Sequence, residues 1–275
     1  MDIPSTLLEN VTFLETKNEG FFEPIGTAFL VGHEHEGVAF GYLVTCFHVI
    51  RDALKTGIQI FARVNLAEEP GITRIPLDAN WVFHPENTET DLVDVAVLPL
   101  ELFEPEKPID VKLMPSNLMY GNTGLVQLFG RELQVGDDIL SMGLFQQFAG
   151  NFRNQPITRF GRISLLPVET MAGPEIWLGV SQYFLVECQA YPGMSGSPVF
   201  IMKEYKGKEK YFFIGIMAGY YKEDKEAEQK FSHFGISQVV PANKLMDIIF
   251  HGRLAEIRNA TYLERRRRIY EANKA

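Results

Sequence analysis

Ser195 sits in the turn Tyr191-Pro-Gly-Met-Ser-Gly-Ser-Pro-Val-Phe200, with Gly193 two positions before it and Gly196 directly after it. A serine hydroxyl is a weak nucleophile unless a neighbouring base takes its proton and donors receive the charge that develops on the attacked oxygen. Gly193 suits a backbone bent so that its N–H and that of Ser195 point the same way, which would give a two-donor oxyanion hole. A Gly/Ser/Pro turn between strands can also be a plain connection, so the meaning of Ser195 depends on its partners. His48 ends the run Gly41-Tyr-Leu-Val-Thr-Cys-Phe-His48, and Asp94 opens Asp94-Val-Ala-Val-Leu98. Together they supply a base, an orienting carboxylate and a nucleophile. Asp91 competes with Asp94; Asp94 is preferred because the apolar strand begins directly after it, where a carboxylate can be buried beneath the histidine.

The elements that must position these groups are short apolar runs. Gly26-Thr-Ala-Phe-Leu-Val-Gly32 reads as a strand, His33-Glu-His-Glu-Gly37 as a hairpin, and Gly41–His48 as a second strand with His48 at its end. On that strand Cys46 would share a face with His48. Repeated apolar runs broken by Gly, Pro and Asn, together with 21 Phe, point to an all-β core. The hydrophobic fraction of 46% is that of an ordinary globular protein.

These segments resemble the trypsin-like (chymotrypsin-fold) serine proteases. Thr45-Cys-Phe-His48 stands where that family has Thr-Ala-Ala-His, Asp94-Val-Ala-Val-Leu98 matches its Asp-(Ile/Val)-Ala-Leu-Leu, and Gly193-Met-Ser-Gly-Ser-Pro198 matches its Gly-X-Ser-Gly-(Gly/Ser)-Pro. The same chemistry occurs on unrelated folds in other chain orders, and His, Asp, Ser is the order of this one. The likeness spans about residues 20–250. Val135–Gly143 and Thr158–Ser164 resemble early strands of the second barrel, Tyr211–Tyr220 the strand lining the cleft, and His233–Pro241 the last strand before a C-terminal helix. The bacterial, disulfide-free members are the most similar.

The resemblance implies two packed six-stranded antiparallel β-barrels with a C-terminal helical extension. A peptidase domain would cover residues 1–240, with barrels at about 10–115 and 120–240, and a helix with a basic tail would cover 241–275. It implies a serine endopeptidase that needs no cofactor and acts on a protein or peptide. His48 would be the base, Asp94 its orienter, Ser195 the nucleophile, and the N–H groups of Gly193 and Ser195 the oxyanion hole. Counting back from Ser195, Gln189 would approach the floor of the primary pocket, with Ala218, Gly219 and Tyr220 as one wall. No counter-charge for Arg or Lys is evident there unless Glu187 turns inward. Met217 stands where glutamate-specific members carry a histidine, so an uncharged small or moderate apolar residue is expected before the scissile bond. Secreted members activate when a new N-terminus pairs with an Asp just before the nucleophile. Met194 holds that position here, so the enzyme should be active as built or controlled otherwise, for instance through a dedicated partner protein.

Other features narrow the function classes. A net charge of −9 argues against general binding to nucleic acid or anionic membrane. Only two cysteines, Cys46 and Cys188, argue against a disulfide-stapled secreted enzyme and for buried thiols. The N-terminal residues carry no signal-peptide pattern, and no apolar run is long enough to span a bilayer, which together imply a cytoplasmic protein. His33-Glu-His-Glu36 lacks metal-protease spacing, and no metal is expected. His84, His233 and His251 read as structural or surface residues. Pro241 suits the first position of a helix in which Leu245, Ile248 and Ile249 face the body, with Gly252 ending or bending it. Arg265 to Arg268 read as a solvated helical face on an acidic body. Two other classes remain open: a catalytically silent binding or scaffolding module on the same fold, and an α/β-hydrolase esterase. The esterase requires Gly-X-Ser-X-Gly and the order Ser, Asp, His; here Ser197 stands where the second glycine belongs, and the strand-rich pattern lacks regular βα alternation.

Overall fold

The computed structural model describes residues 3–87, 93–100, 108–119, 122–129, 131–166, 171–172, 180–181, 183–222 and 233–272. Its first half comprises helix α1 (Ser5–Glu9), strands β1 (Val11–Asn18), β2 (Phe21–His35) and β3 (Val38–Thr45), helix α2 (Phe47–Thr56), and strands β4 (Ile60–Leu66), β5 (Ile72–Leu77), β6 (Val82–Phe83), β7 (Ala96–Pro99), β8 (Ile109–Asp110) and β9 (Met114–Pro115). After helix α3 (Asn122–Phe129) come β10 (Asp138–Gly143), β11 (Ile157–Leu165), β12 (Met171–Ala172), β13 (Val180–Ser181), β14 (Phe184–Glu187), β15 (Pro198–Tyr205), β16 (Lys208–Lys222) and β17 (His233–Pro241). The chain closes with helices α4 (Ala242–Phe250) and α5 (Gly252–Ala272).

The second half forms the expected six-stranded barrel, closed in the order β10-β11-β14-β17-β16-β15. The first half differs in detail from six strands. It is a nine-stranded sheet running β5-β4-β1-β2-β3-β7-β6, with β8 added on β4 and β9 added on β2. Its hydrogen-bonded order does not close among the described residues. The sheet instead curls, so that Ile75 and Leu77 of β5 and Trp81 beside β6 join one apolar cluster.

Alternation along the strands explains why their sequences read as unbroken apolar runs. Ala28 and Leu30 of β2 point into the core of the first sheet, while their neighbours Phe29 and Val31 point into a core shared by both halves. Likewise Ile139 and Ile201 fill the second barrel, and Leu140 and Phe200 face the shared core. A strand buried on both faces has no polar face to show. Phe213 of β16 sits at the seam, its ring 5.3 Å from Phe29 and 5.9 Å from Phe200.

Leu245, Ile248 and Ile249 bury one side of α4 as expected. Pro241 is the residue before that helix rather than its first turn, because its nitrogen belongs to the end of β17. Gly252, with φ of 56°, lets the chain turn into α5. Arg258 is buried and donates from Nη1 to the Tyr42 hydroxyl at 2.9 Å and to the Ile249 carbonyl. The exposed run 265–268 is tied locally: Arg265 lies over the Phe40 ring, and Arg267 and Arg268 pair with Glu271 and Glu264. Such exposed i,i+4 pairs contribute only about 0.3–0.5 kcal/mol each. No helix among the described residues is long and apolar enough to cross a membrane.

Because Phe213 fills the seam between the halves, Phe213→Ala should cost about 3–5 kcal/mol in denaturant unfolding. A loss below about 1 kcal/mol would mean the seam is not a tightly packed core.

Candidate active site

His48 does not end a strand. β3 stops at Thr45, Cys46 remains extended, and His48 falls in the first turn of α2. The first N–H groups of a helix lack partners within it, and here the Asp94 carboxylate supplies one. Oδ1 accepts the His48 backbone N–H at 2.9 Å, and Oδ2 lies 2.7 Å from the ring Nδ1. A carboxylate only accepts, so Nδ1 is the donor of this pair and Nε2 is the ring nitrogen turned away from Asp94. Asp94 is 0% exposed, and the His48 side chain retains 19% of its surface. Asp94 precedes β7, and the preceding Val93 is held by the Asn87 side chain, Oδ1 accepting its N–H at 2.8 Å. Asp91 lies outside the described residues.

Ser195 occupies a turn that depends on two glycines. Gly193 and Gly196 have φ of 94° and 90°, a region that side chains rarely tolerate. A Cβ on Gly196 would lie 2.0 Å from the Thr27 carbonyl oxygen and 2.6 Å from Thr45 Oγ1. The turn is thus pressed against the first sheet, and hydrogen bonds hold it there. The Thr27 N–H donates to the Ser195 carbonyl at 3.0 Å, and the Gly196 N–H to the Met217 carbonyl at 2.9 Å. The Ser195 hydroxyl donates to the Ala218 carbonyl at 3.2 Å. Among the described residues no acceptor takes the N–H of Gly193 or Ser195.

Two contacts bring the histidine helix to the same place. A Cβ on Gly26 would meet Val49 Cγ1 at 2.6 Å and the Ser195 carbonyl oxygen at 3.3 Å, so β2 passes between the residue after His48 and the Ser195 turn. The Cys46 thiol donates to the Met217 carbonyl, the acceptor that also holds Gly196. The structure therefore gathers His48, Asp94, Gly193 and Ser195 at the junction of the two halves. The features that do the gathering, Gly26, Thr27 and the Met217 carbonyl, were not singled out from sequence. The Gly-Thr pair opening an apolar run was their one visible sign.

The specificity residues are placed less uniformly. Ala218 is buried, and Gly219 and Tyr220 lie on β16 opposite Gln238 and Ser237. Gln189 is exposed and is bound by an arginine that sequence reasoning missed. Arg159 donates from Nε to the Gln189 carbonyl at 3.0 Å and from Nη2 to Oε1 at 3.3 Å, with its guanidinium 5.2 Å from the Tyr191 ring centroid. Its place two and four residues before Gly161 and the buried Ile163 was the available signal. Glu187 is exposed on β14 rather than turned inward.

Both cysteines are free and buried. Burial first, and the Asp94 charge second, push the Cys46 thiol well above its usual range. Burial pushes Cys188 up to about 11, against a smaller pull from Arg159. Both thiols are therefore held protonated, and the thiolate is the reactive form. Donor atoms of Cys46, His48 and Asp94 lie within 4.8 Å of one another, and His48 Nδ1 and Asp94 Oδ2 are bonded to each other. The hairpin histidines face the C-terminal helices: His33 Nδ1 is 3.0 Å from Ser116 Oγ, its ring packs on Phe250, and His35 packs on Tyr262.

A family model described as trypsin-like peptidase domain matches residues 26–204, a span containing His48, Asp94 and Ser195. The chain belongs to that family. No curated protein matches the sequence. Among solved structures, a trypsin-like fold is shared with the crystal structure of Deg5, at a TM-score of 0.52 and 15% identity over 88% of each chain. The active form of the Rv3671c protease from M. tuberculosis gives a TM-score of 0.46 and 14% identity, covering 89% of this chain and 81% of the other. At such identities the likeness speaks for the fold alone, and that fold is chymotrypsin-like.

The thiol environment of this trypsin-like peptidase domain gives a direct prediction. A thiol-reactive disulfide reagent at neutral pH should modify neither Cys46 nor Cys188 in folded protein and both after denaturation. Rapid modification of Cys46 in the native state would show that its burial beside Asp94 is wrong.

Proposed function

We propose that the chain is a serine endopeptidase in which Ser195 attacks, His48 moves the proton and Asp94 orients His48. The observation that carries this reading is the fully buried Asp94 carboxylate bonded to both the backbone and Nδ1 of His48, at the junction that also holds a glycine-flanked serine turn with two unclaimed N–H donors. His48 Nε2 takes the Ser195 proton as Oγ adds to the peptide carbonyl, and the resulting oxyanion accepts from the N–H groups of Gly193 and Ser195. Collapse returns the proton to the leaving amine, and water then repeats the cycle on the acyl-enzyme. Each oxyanion donor in comparable sites contributes about 3–4 kcal/mol to catalysis. The bond from Ser195 Oγ to the Ala218 carbonyl must be exchanged for one to Nε2 first; loose catalytic hydrogen bonds before substrate binds are usual.

The pocket side formed by Ala218 and Gly219 suits a small or moderate uncharged residue before the scissile bond. Two unpaired buried thiols fit a reducing, cytoplasmic setting. Met194, buried in the second barrel core, offers no ionic partner to a newly made N-terminus. Control by a narrow protein substrate or a dedicated partner is the arrangement this reading requires.

A fluorophosphonate probe should label Ser195 alone in folded protein, and a proteome-derived peptide pool should be cleaved by the native chain and not by Ser195→Ala. No label on Ser195, with no cleavage, would instead favour the catalytically silent scaffold.

A further inference from the structure

The nucleophile turn rests on more than its own glycines. The loop 144–156 joining β10 to β11 lies directly beneath it. A Cβ on Gly193 would lie 2.8 Å from Gln146 Cγ and 3.1 Å from Leu144 Cδ2, so these two side chains form the surface on which Gly193 sits. The Thr27 hydroxyl accepts the Leu144 N–H at 2.8 Å and donates to the Gly193 carbonyl at 2.7 Å, tying loop and turn together. The Phe145 ring meets the Tyr191 ring edge-on at 5.6 Å, and Gln146 Nε2 reaches the Pro24 carbonyl at 3.3 Å.

The far end of the same loop is anchored in the first sheet by a buried charge cluster. Arg63 of β4 is 4% exposed. Its Nη1 donates to the Ala149 carbonyl at 3.2 Å and to Asn154 Oδ1, and its Nη2 donates to the Gly150 carbonyl. Asn154 returns the contact from Nδ2 to the Arg63 carbonyl at 2.6 Å, and its N–H donates to Asn65 Oδ1 at 2.7 Å. Glu15 of β1, also buried, balances the charge at 3.4 Å from Arg63 Nε and pairs through its other oxygen with Arg74 of β5. A planar guanidinium can serve three acceptors and a carboxylate at once, which an ammonium cannot match. The Ala149 carbonyl also accepts the Gln155 N–H at 3.1 Å, so the guanidinium adds to a bond that already folds the loop back on itself.

From this chain of contacts we infer that Arg63 and Asn154 are positioning residues for the oxyanion hole: they lock the 144–156 loop onto the first sheet, and the loop in turn fixes the backbone of Gly193. This inference rests on the serine-peptidase reading for its catalytic consequence, although the positional claim does not need it. The device does structurally what a charged partner at position 194 would do in an enzyme activated by cleavage. It makes the geometry of a turn in one half of the molecule depend on a buried ion cluster in the other.

The test compares Arg63→Lys, which keeps the charge beside Glu15, and Asn154→Ala with the native chain. Four measurements are made: the rate of fluorophosphonate labelling at Ser195, the amide ¹H–¹⁵N resonances of Gly193 and Ser195, the His48 Nδ1 proton resonance, and the melting temperature. Displaced catalytic donors typically cost one to two decades. Labelling should therefore slow about tenfold to a hundredfold in both variants, the two amide resonances should shift or broaden, and the proton on His48 Nδ1 should stay unchanged. If Arg63→Lys fails to fold, Asn154→Ala decides alone. If the native chain is not labelled, the serine-peptidase reading fails, and the Gly193 and Ser195 resonances still decide the positional claim. Resonances that superimpose on the native ones would overturn it, as would labelling within twofold of native, whatever happens to the melting temperature.

Discussion

Everything the site can do depends on one buried interaction, the Asp94 carboxylate with its two bonds to His48. A carboxylate removed from water is costly unless its oxygens are satisfied. Here each oxygen is: Oδ1 by the first-turn N–H of α2 and Oδ2 by the imidazole Nδ1. One group thus bonds the first turn of a helix, fixes the ring orientation and selects the tautomer that carries its proton on Nδ1. The helix is the reason the histidine does not continue the strand: the capping bond pulls residue 48 out of β3 and back over Asp94.

The second constraint is close approach at the seam. β2 is the strand on which the halves meet, and Gly26 and Thr27 are its contact points. Gly26 admits Val49 on one side and the Ser195 carbonyl on the other. Thr27 spends its N–H on Ser195 and its hydroxyl on both Gly193 and Leu144. A larger residue at 26 would press on Val49 and the Ser195 carbonyl, and an apolar one at 27 would lose the bonds to Gly193 and Leu144, so either would shift the Ser195 turn relative to α2. Such dependence is expected where catalytic groups come from two packed units, since a displacement of about 1 Å can cost about a hundredfold in rate.

The parts of this arrangement visible in the sequence are those that local chemistry demands. A serine between glycines followed by an apolar strand, an Asp opening a buried strand, and repeated apolar runs broken by Gly, Pro and Asn could be read from residue types alone. What could not be read depends on distant contacts. His48 was expected at a strand end because the mostly apolar run Gly41–Cys46 leads into it, and the Asp94 bond that meets the first turn of α2 is a long-range contact. The first half was expected as six strands; the two-residue strands β6, β8 and β9 carry too little pattern to be seen. Arg159 and Arg63 were not singled out from sequence, because their partners, Gln189 and the 149–154 loop, lie far along the chain. The hairpin histidines showed the reverse case, a conspicuous pattern whose role is packing against α4 and α5.

The measurement that bears most directly on the account is turnover by Asp94→Asn. The substitution keeps the shape of the side chain and an oxygen for the His48 N–H, but it can place an amide N–H against Nδ1 and favour the wrong tautomer. Peptide turnover should fall by about four decades while the unfolding transition stays cooperative and circular dichroism stays native. A folded Asp94→Asn protein that retains turnover within about tenfold of the native chain would contradict the central claim that this buried carboxylate sets the state of His48.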